Sequence, residues 1–123
     1  MTDTPQVVRR LQATALIEGN EFVRKYFHTE RLVFATSILQ PGQRSGVDPG
    51  HAEADEVCYV IEGSVAAIFA DANVVHELEA GDAVLIPQSV AHEIMALGSQ
   101  PALTLWCTAP VMGRDDLAVG GGA

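Results

Sequence analysis

The feature that most constrains this chain is the rhythm of its turn formers. Pro41-Gly42, Asp48-Pro49-Gly50, Gly63-Ser64, Asp71-Ala72-Asn73, Gly81-Asp82, Pro87 and Gly98-Ser99-Gln100-Pro101 interrupt the sequence at short intervals. Glycine admits positive φ, proline fixes φ, and Asn or Asp bonds its own backbone, so each group ends whatever regular element precedes it. The stretches between them are short and rich in β-branched and aromatic residues: 31–39, 56–62, 65–70, 74–78, 83–86, 92–97 and 102–108. Many short strands at even spacing predict an all-β fold, an antiparallel sandwich or small barrel.

Residues 6–18 form the sole helix candidate, in which Val7, Leu11, Ala15 and Glu18 approximate a helical period. The apolar face is thin, and an edge strand exchanged with a second subunit is an equal alternative. Residues 113–123 end in glycines that bury nothing and are expected to be a flexible tail. The chain of 123 residues suits one domain, over 1–112, with a single core.

Composition excludes several classes of partner. A net charge of -9, with seven Lys and Arg that form no stripe, argues against nucleic acid and anionic membranes. No apolar run approaches the roughly 18 residues of a membrane span, and no signal-like segment opens the chain. A soluble, cytoplasmic protein acting on a small molecule is the expectation. Cys58 and Cys107 lie in apolar strand-like segments without a CxxC neighbour, which predicts two buried, reduced thiols.

Chemistry concentrates in two segments, 42–63 and 81–92, which hold His51, Glu56 and His92. Two imidazoles and a carboxylate make up the ligand set of an open transition-metal site. Strand alternation places Glu56 on one face with Cys58 and Val60, and His92 with Ile94 and Ala96. A carboxylate turned toward apolar neighbours is costly unless it is paired or bound to a cation, and a metal would relieve that cost. Taken singly, each of the three reads more readily as a rim or loop residue; taken together they read as a metal site. Among the other polar groups, His76 reads as a strand residue facing solvent or a satisfied core histidine, and nothing specific supports a role for His28. Glu53 and His76 are the nearest candidates for a free acid or base. Tyr59 and Trp106 read as packing residues or as part of a subunit contact.

These segments resemble the two motifs of the cupin superfamily, G-x5-H-x-H-x(3,4)-E-x6-G and G-x5-P-x-G-x2-H-x3-N. Glu56 and Gly63 keep the six-residue gap of the first motif, and His51 takes the place of its second histidine. Gly81, Pro87 and His92 match the second motif at every interval. Pro49 stands where the first motif has its other histidine, Ser89 replaces the inner glycine of the second, and Ala96 replaces its closing asparagine. The resemblance implies an antiparallel double-stranded β-helix, the cupin jelly-roll barrel of RmlC-like proteins, with a short N-terminal extension and a barrel core over 31–110. It also implies a homodimer and one divalent metal (Fe, Mn, Zn or Ni) on His51, Glu56 and His92. Asp48, beside the vacant position, could supply a further carboxylate through a distorted turn, although strand parity faces it away. A second register uses His51 and Glu53, and a third outcome is a pocket without metal.

Three functions follow from this reading. A His2Glu centre supports a dioxygenase-like or an isomerase- or lyase-like enzyme. A missing ligand would suit a barrel that binds or senses a small ligand without turning it over. A partner-docking subunit is the third. Phe34, Thr36, Ile38, Val60, Ile94, Leu103, Leu105 and Cys107 are the candidates for inward residues that shape the pocket. The lack of arginine among them disfavours a dianionic carboxylate substrate.

Overall fold

A computed structural model describes residues 4–110. The chain forms nine strands: β1 (Thr14–Glu18), β2 (Glu21–His28), β3 (Val33–Leu39), β4 (Asp55–Glu62), β5 (Ser64–Phe69), β6 (Val74–Glu79), β7 (Ala83–Ile86), β8 (Glu93–Leu97) and β9 (Ala102–Ala109). All named pairs are antiparallel, in a six-stranded sheet ordered β1-β2-β3-β9-β4-β7 and a three-stranded sheet ordered β6-β5-β8. The segment before β4 extends the smaller sheet without forming a full strand. Gly42 N donates to Ala96 O, Ser45 N to Ile94 O, and Asp48 and His92 exchange both backbone hydrogen bonds. The two sheets thus face one another as a jelly roll, closed on one side by residues 42–48.

The inner face of the large sheet follows from period-2 alternation. Strand β3 buries Val33, Ala35, Ser37 and Leu39, and β9 buries Ala102, Thr104, Trp106 and Thr108. Register stacks these rows: Ser37 lies opposite Thr104, Ala35 opposite Trp106, Trp106 opposite Cys58, and Thr108 opposite Glu56. Trp106 fills the middle of the core at 1% exposure, and its indole N–H donates to Thr104 Oγ1 at 2.8 Å. Truncating it to alanine would cost about 3–5 kcal/mol, the usual range for such cavities.

Three expectations need correction. No helix forms over 6–18; a single 3-10 turn at Arg10–Gln12 leads into β1, which pairs with β2. The apolar stripe could not support a helix because it has nothing to pack on, and Leu11 and Ile17 remain 77% and 70% exposed. Strand β2 is not among the segments predicted above, because its charged and aromatic residues, EFVRKYFH, do not alternate cleanly.

The inward set also shifts by one residue on β3 and β9. Val60 and Ile94 face the core as expected, but Phe34, Thr36, Ile38, Leu103, Leu105 and Cys107 lie on the partly exposed outer face. On strands this apolar, both parities look acceptable in sequence, and one step exchanges the faces. Cys58 is buried and Cys107 only half-buried, and both are free thiols. The tail at 113–123 lies outside the described residues, within which no helix is long and apolar enough to cross a membrane.

Candidate metal centre

Glu56 enters the interior because it lies second on β4, in phase with Cys58 and Val60; it is 1% exposed. Its cross-strand neighbour Thr108 donates a hydroxyl hydrogen bond to Oε2 at 3.0 Å. That bond fixes the carboxylate and leaves Oε1 aimed inward. His92, immediately before β8, is 2% exposed and stacks on Trp106 with ring centroids 6.0 Å apart. Its Nδ1 lies 2.9 Å from the Val90 carbonyl, which can only accept, so Nδ1 carries the proton and Nε2 presents its lone pair.

Asp48 arrives by a route that strand parity does not foresee. Because Asp48 and His92 form a directly opposed, doubly hydrogen-bonded antiparallel pair, their side chains project to the same side. The Pro49-Gly50 turn then breaks the strand, so the phase counted back from Glu56 no longer applies. Gly50 has φ +90 and packs so closely that a Cβ there would sit 2.7 Å from Val90 N. The amide of Gly50 donates to Asp48 Oδ1 at 2.7 Å, leaving Oδ2 turned toward the imidazole of His92 at 3.9 Å. His51, just beyond the turn, is tethered through its carbonyl, which accepts from Ser89 N at 2.8 Å. Ser89 itself adopts φ +60, the left-handed conformation for which the motif's glycine is suited.

The donor atoms converge. Asp48, His51 and Glu56 each offer an atom within 4.8 Å of the others. Glu56 Oε1 lies 3.8 Å from His51 Nε2 and 3.2 Å from His92 Nε2. Both Glu56 Oε1 and His92 Nε2 are buried outside hydrogen-bond geometry, despite their closeness. Orphaning a buried polar atom costs about 1–3 kcal/mol, and more when it is charged, so two of them facing one point suit a cation between them. Each of Glu56, His92 and Asp48 has one atom anchored by the protein and another directed to that point, the usual outer support of metal ligands. The residues fit a divalent transition metal. In the metal-free protein burial opposes protonation of His92, but the adjoining carboxylate of Glu56, the Val90 carbonyl and Asp48 outweigh it and hold the imidazole above its ordinary value.

Of the residues singled out in the sequence, His51 and Glu56 fall into one group with Asp48, His92 lies beside that group against Glu56 and Asp48, and Glu53 is exposed and outside it. His76 is exposed on β6. His28 is partly buried, with Nδ1 3.3 Å from Lys25 Nζ. Sequence reasoning missed Glu21, at the start of the unread β2. It is 2% exposed and accepts a hydrogen bond from the Ser37 hydroxyl at 2.5 Å. Burial raises its carboxyl to about 7 despite the Ser37 hydrogen bond, with Glu18, Asp48 and Glu56 adding repulsion. The β1–β2 turn seats it there, since Asn20 Nδ2 donates to Arg44 O at 3.0 Å beside the segment that carries Asp48. The available signal was a Glu two residues before Val23 in a segment bounded by Gly19-Asn20.

Two facing antiparallel sheets around an inward cluster of imidazoles and carboxylates define a small β-barrel with a candidate metal site. The family model for the Cupin domain matches residues 35–108, and the chain belongs to that family. No curated protein matches it in sequence. Among solved structures, KdgF from Halomonas sp. is 18% identical with a TM-score of 0.76, over 91% of this chain and 99% of that one. The polyketide cyclase RemF from Streptomyces resistomycificus is 23% identical with a TM-score of 0.69, over 87% and 80%. A predicted oxalate decarboxylase from Thermotoga maritima is 19% identical with a TM-score of 0.74, over 85% and 98%. At these identities the likeness is one of fold.

Proposed function

We propose that this cupin is a metal-dependent enzyme of isomerase or lyase type, holding one divalent transition metal through Asp48, His51, Glu56 and His92 and acting on a small organic molecule. The observation that carries this reading is the approach of two buried ligand atoms, Glu56 Oε1 and His92 Nε2, to 3.2 Å beside Asp48 and His51. Two imidazoles and two carboxylates form a mixed N,O set suited to Mn, Fe, Ni or Zn. Such an ion supplies Lewis-acid polarisation of a substrate oxygen.

The chain's own residues do the rest. Thr108, Val90 and the Gly50 amide hold the ligands in orientation, and Trp106 covers one face of His92 and keeps water from it. Glu21, buried and hydrogen-bonded to the Ser37 hydroxyl, is the carboxyl proposed to take up and return a proton in this chemistry. A second copy of the chain is proposed to cover the outer face of β4 and β7, where Val57, Tyr59 and Leu85 are exposed together.

Elemental analysis of protein purified without chelators or a histidine tag tests the reading. About one metal per chain is expected in the wild type, falling sharply in His92→Ala and Asp48→Ala. A folded, metal-free wild type that takes up no ion on reconstitution would leave a barrel that binds without reacting.

A further inference from the structure

Strand β2 carries a cation to the inner face of the large sheet. Lys25, the single lysine of the sequence, stands opposite Ala35, in the row that continues to Trp106. Of the described arginines, Arg9, Arg10, Arg31 and Arg44 are exposed, and Arg24 lies on the outer face over the Phe22 ring.

A β-bulge produces this arrangement. The register slips between Lys25 and Phe27, and both Tyr26 and Phe27 meet the outer Phe34 ring edge-on. Residues three apart then share a face, so Lys25 and His28 both turn inward, with Nζ 3.3 Å from Nδ1. His28 stands opposite Val33, in the row that runs through Thr108 to Glu56. The pair and Glu56 thus face one interior from strands three steps apart, roughly 14 Å at ordinary strand spacing. Of the polar groups turned inward, Glu21, Glu56 and His92 are buried, while Lys25, His28, Asp48 and His51 remain partly open to solvent. These four mark the mouth by which a small molecule reaches the metal ligands.

The pair is built to donate. An ammonium only donates, so His28 Nδ1 accepts from Lys25 and the ring proton sits on Nε2. Burial and the Lys25 charge hold this imidazole below its ordinary value, which keeps it neutral. Its Nε2 is buried with no protein acceptor among the described residues. Among them Lys25 likewise has no carboxylate within ion-pair distance, although Glu18, Glu21, Asp48 and Glu56 share its interior. A lysine that served only to neutralise those carboxylates would sit against one of them; the bulge sets it against His28 instead.

We propose that Lys25 and His28 form an anion subsite, and that the substrate is a small carboxylate whose other, oxygen-bearing end reaches the metal. The subsite stands on the geometry of β2. The two-ended substrate rests on the proposed metal site and adds its chemical class. The expectation against a dianionic carboxylate came from a set of strands without β2, which supplies the cation that set lacked.

Because the chain has one lysine, isotope-labelled lysine gives the full-length protein a single side-chain Cε–Hε signal, that of Lys25. Zinc-loaded protein is titrated with succinate, glutarate and adipate and with the monoamide of each, and zinc content is checked afterwards. The titrations run at about pH 7.5, where an ammonium is charged and an ordinary imidazole neutral. Each monoamide keeps the shape of its acid and lacks one charge. For at least one chain length the dicarboxylate should bind about tenfold tighter than its monoamide, the scale of one partly screened charge pair. The Lys25 signal should shift along the same isotherm. By calorimetry, Lys25→Met should abolish the advantage and Lys25→Arg should keep most of it.

Equal binding of acid and monoamide at every length, an unmoved Lys25 signal, or an advantage that survives Lys25→Met would overturn the subsite and leave the metal site standing. Should Lys25→Met fold poorly, the labelled wild type decides, because its signal and its affinity ratios need no substitution. A folded protein that takes up no zinc would overturn the metal site and the two-ended substrate with it. The subsite is then read in metal-free protein with butyrate and butyramide: butyrate alone should move the Lys25 signal, and equal responses would overturn the subsite too.

Discussion

Replacing Glu21 by glutamine should stabilise the metal-free protein above neutral pH and do little in acid. The side chain is 2% exposed, and burial lifts its carboxyl from 4.5 to about 7. Because the folded chain binds this proton more tightly than the unfolded chain, stability is fully present below about 4.5 and declines as pH rises through about 7. At about 1.4 kcal/mol for each pH unit separating the folded from the unfolded value, the whole effect amounts to at most about 3.5 kcal/mol. Glutamine keeps the size and an amide oxygen that accepts the Ser37 hydroxyl, so the hydrogen bond survives while the ionisation is lost. Urea unfolding of both proteins in the presence of chelator, from about pH 4.5 to pH 8, provides the assay. The stability of the variant relative to the wild type should rise across that window and then level off. A difference that stays constant with pH would refute the argument that Glu21 ionises inside the barrel.

Three further outcomes are expected. Gly50→Ala places a Cβ 2.7 Å from Val90 N at φ +90, against backbone that cannot swing aside. It should cost at least about 2 kcal/mol in urea melts and weaken metal binding as the Asp48–His51 turn shifts. Thr108→Val removes the hydroxyl that holds Glu56 Oε2 but keeps the shape of the side chain. Metal affinity, measured by competition with a chromophoric chelator, should fall about 10- to 100-fold with the fold intact. If a second copy covers β4 and β7, Leu85→Lys, at a residue 59% exposed and opposite Val57, should convert a dimer to a monomer in sedimentation velocity.

Legibility differed between fold and site for physical reasons. The seven turn-bounded segments after residue 30 were legible because glycine's freedom at positive φ, proline's fixed φ and the backbone bonds of Asn and Asp side chains end a strand wherever they stand. The phase of β4 was legible because Glu56 marks one face of an otherwise apolar strand. On β3 and β9, small and β-branched residues occupy both faces, and nothing local distinguishes Ala35 and Ser37, which are buried, from Phe34 and Thr36, which are not. Strand β2 was hidden by Arg24 and Lys25, whose charges break the apolar alternation. Asp48 could not be placed by parity, because its orientation comes from one cross-strand pair with His92, which lies beyond β4 to β7 along the chain. Glu21 was invisible for the same reason: it gains its role only when the β1–β2 turn docks on Arg44.

X-ray absorption fine structure of the metal-loaded protein tests the central claim most directly, because it reads the donor atoms themselves. The ligand set proposed predicts an oxygen and nitrogen shell with the outer scattering of two imidazoles and no sulfur, losing one imidazole in His92→Ala. A sulfur in the shell from Cys58, or a shell without imidazole, would contradict the site built here from Asp48, His51, Glu56 and His92.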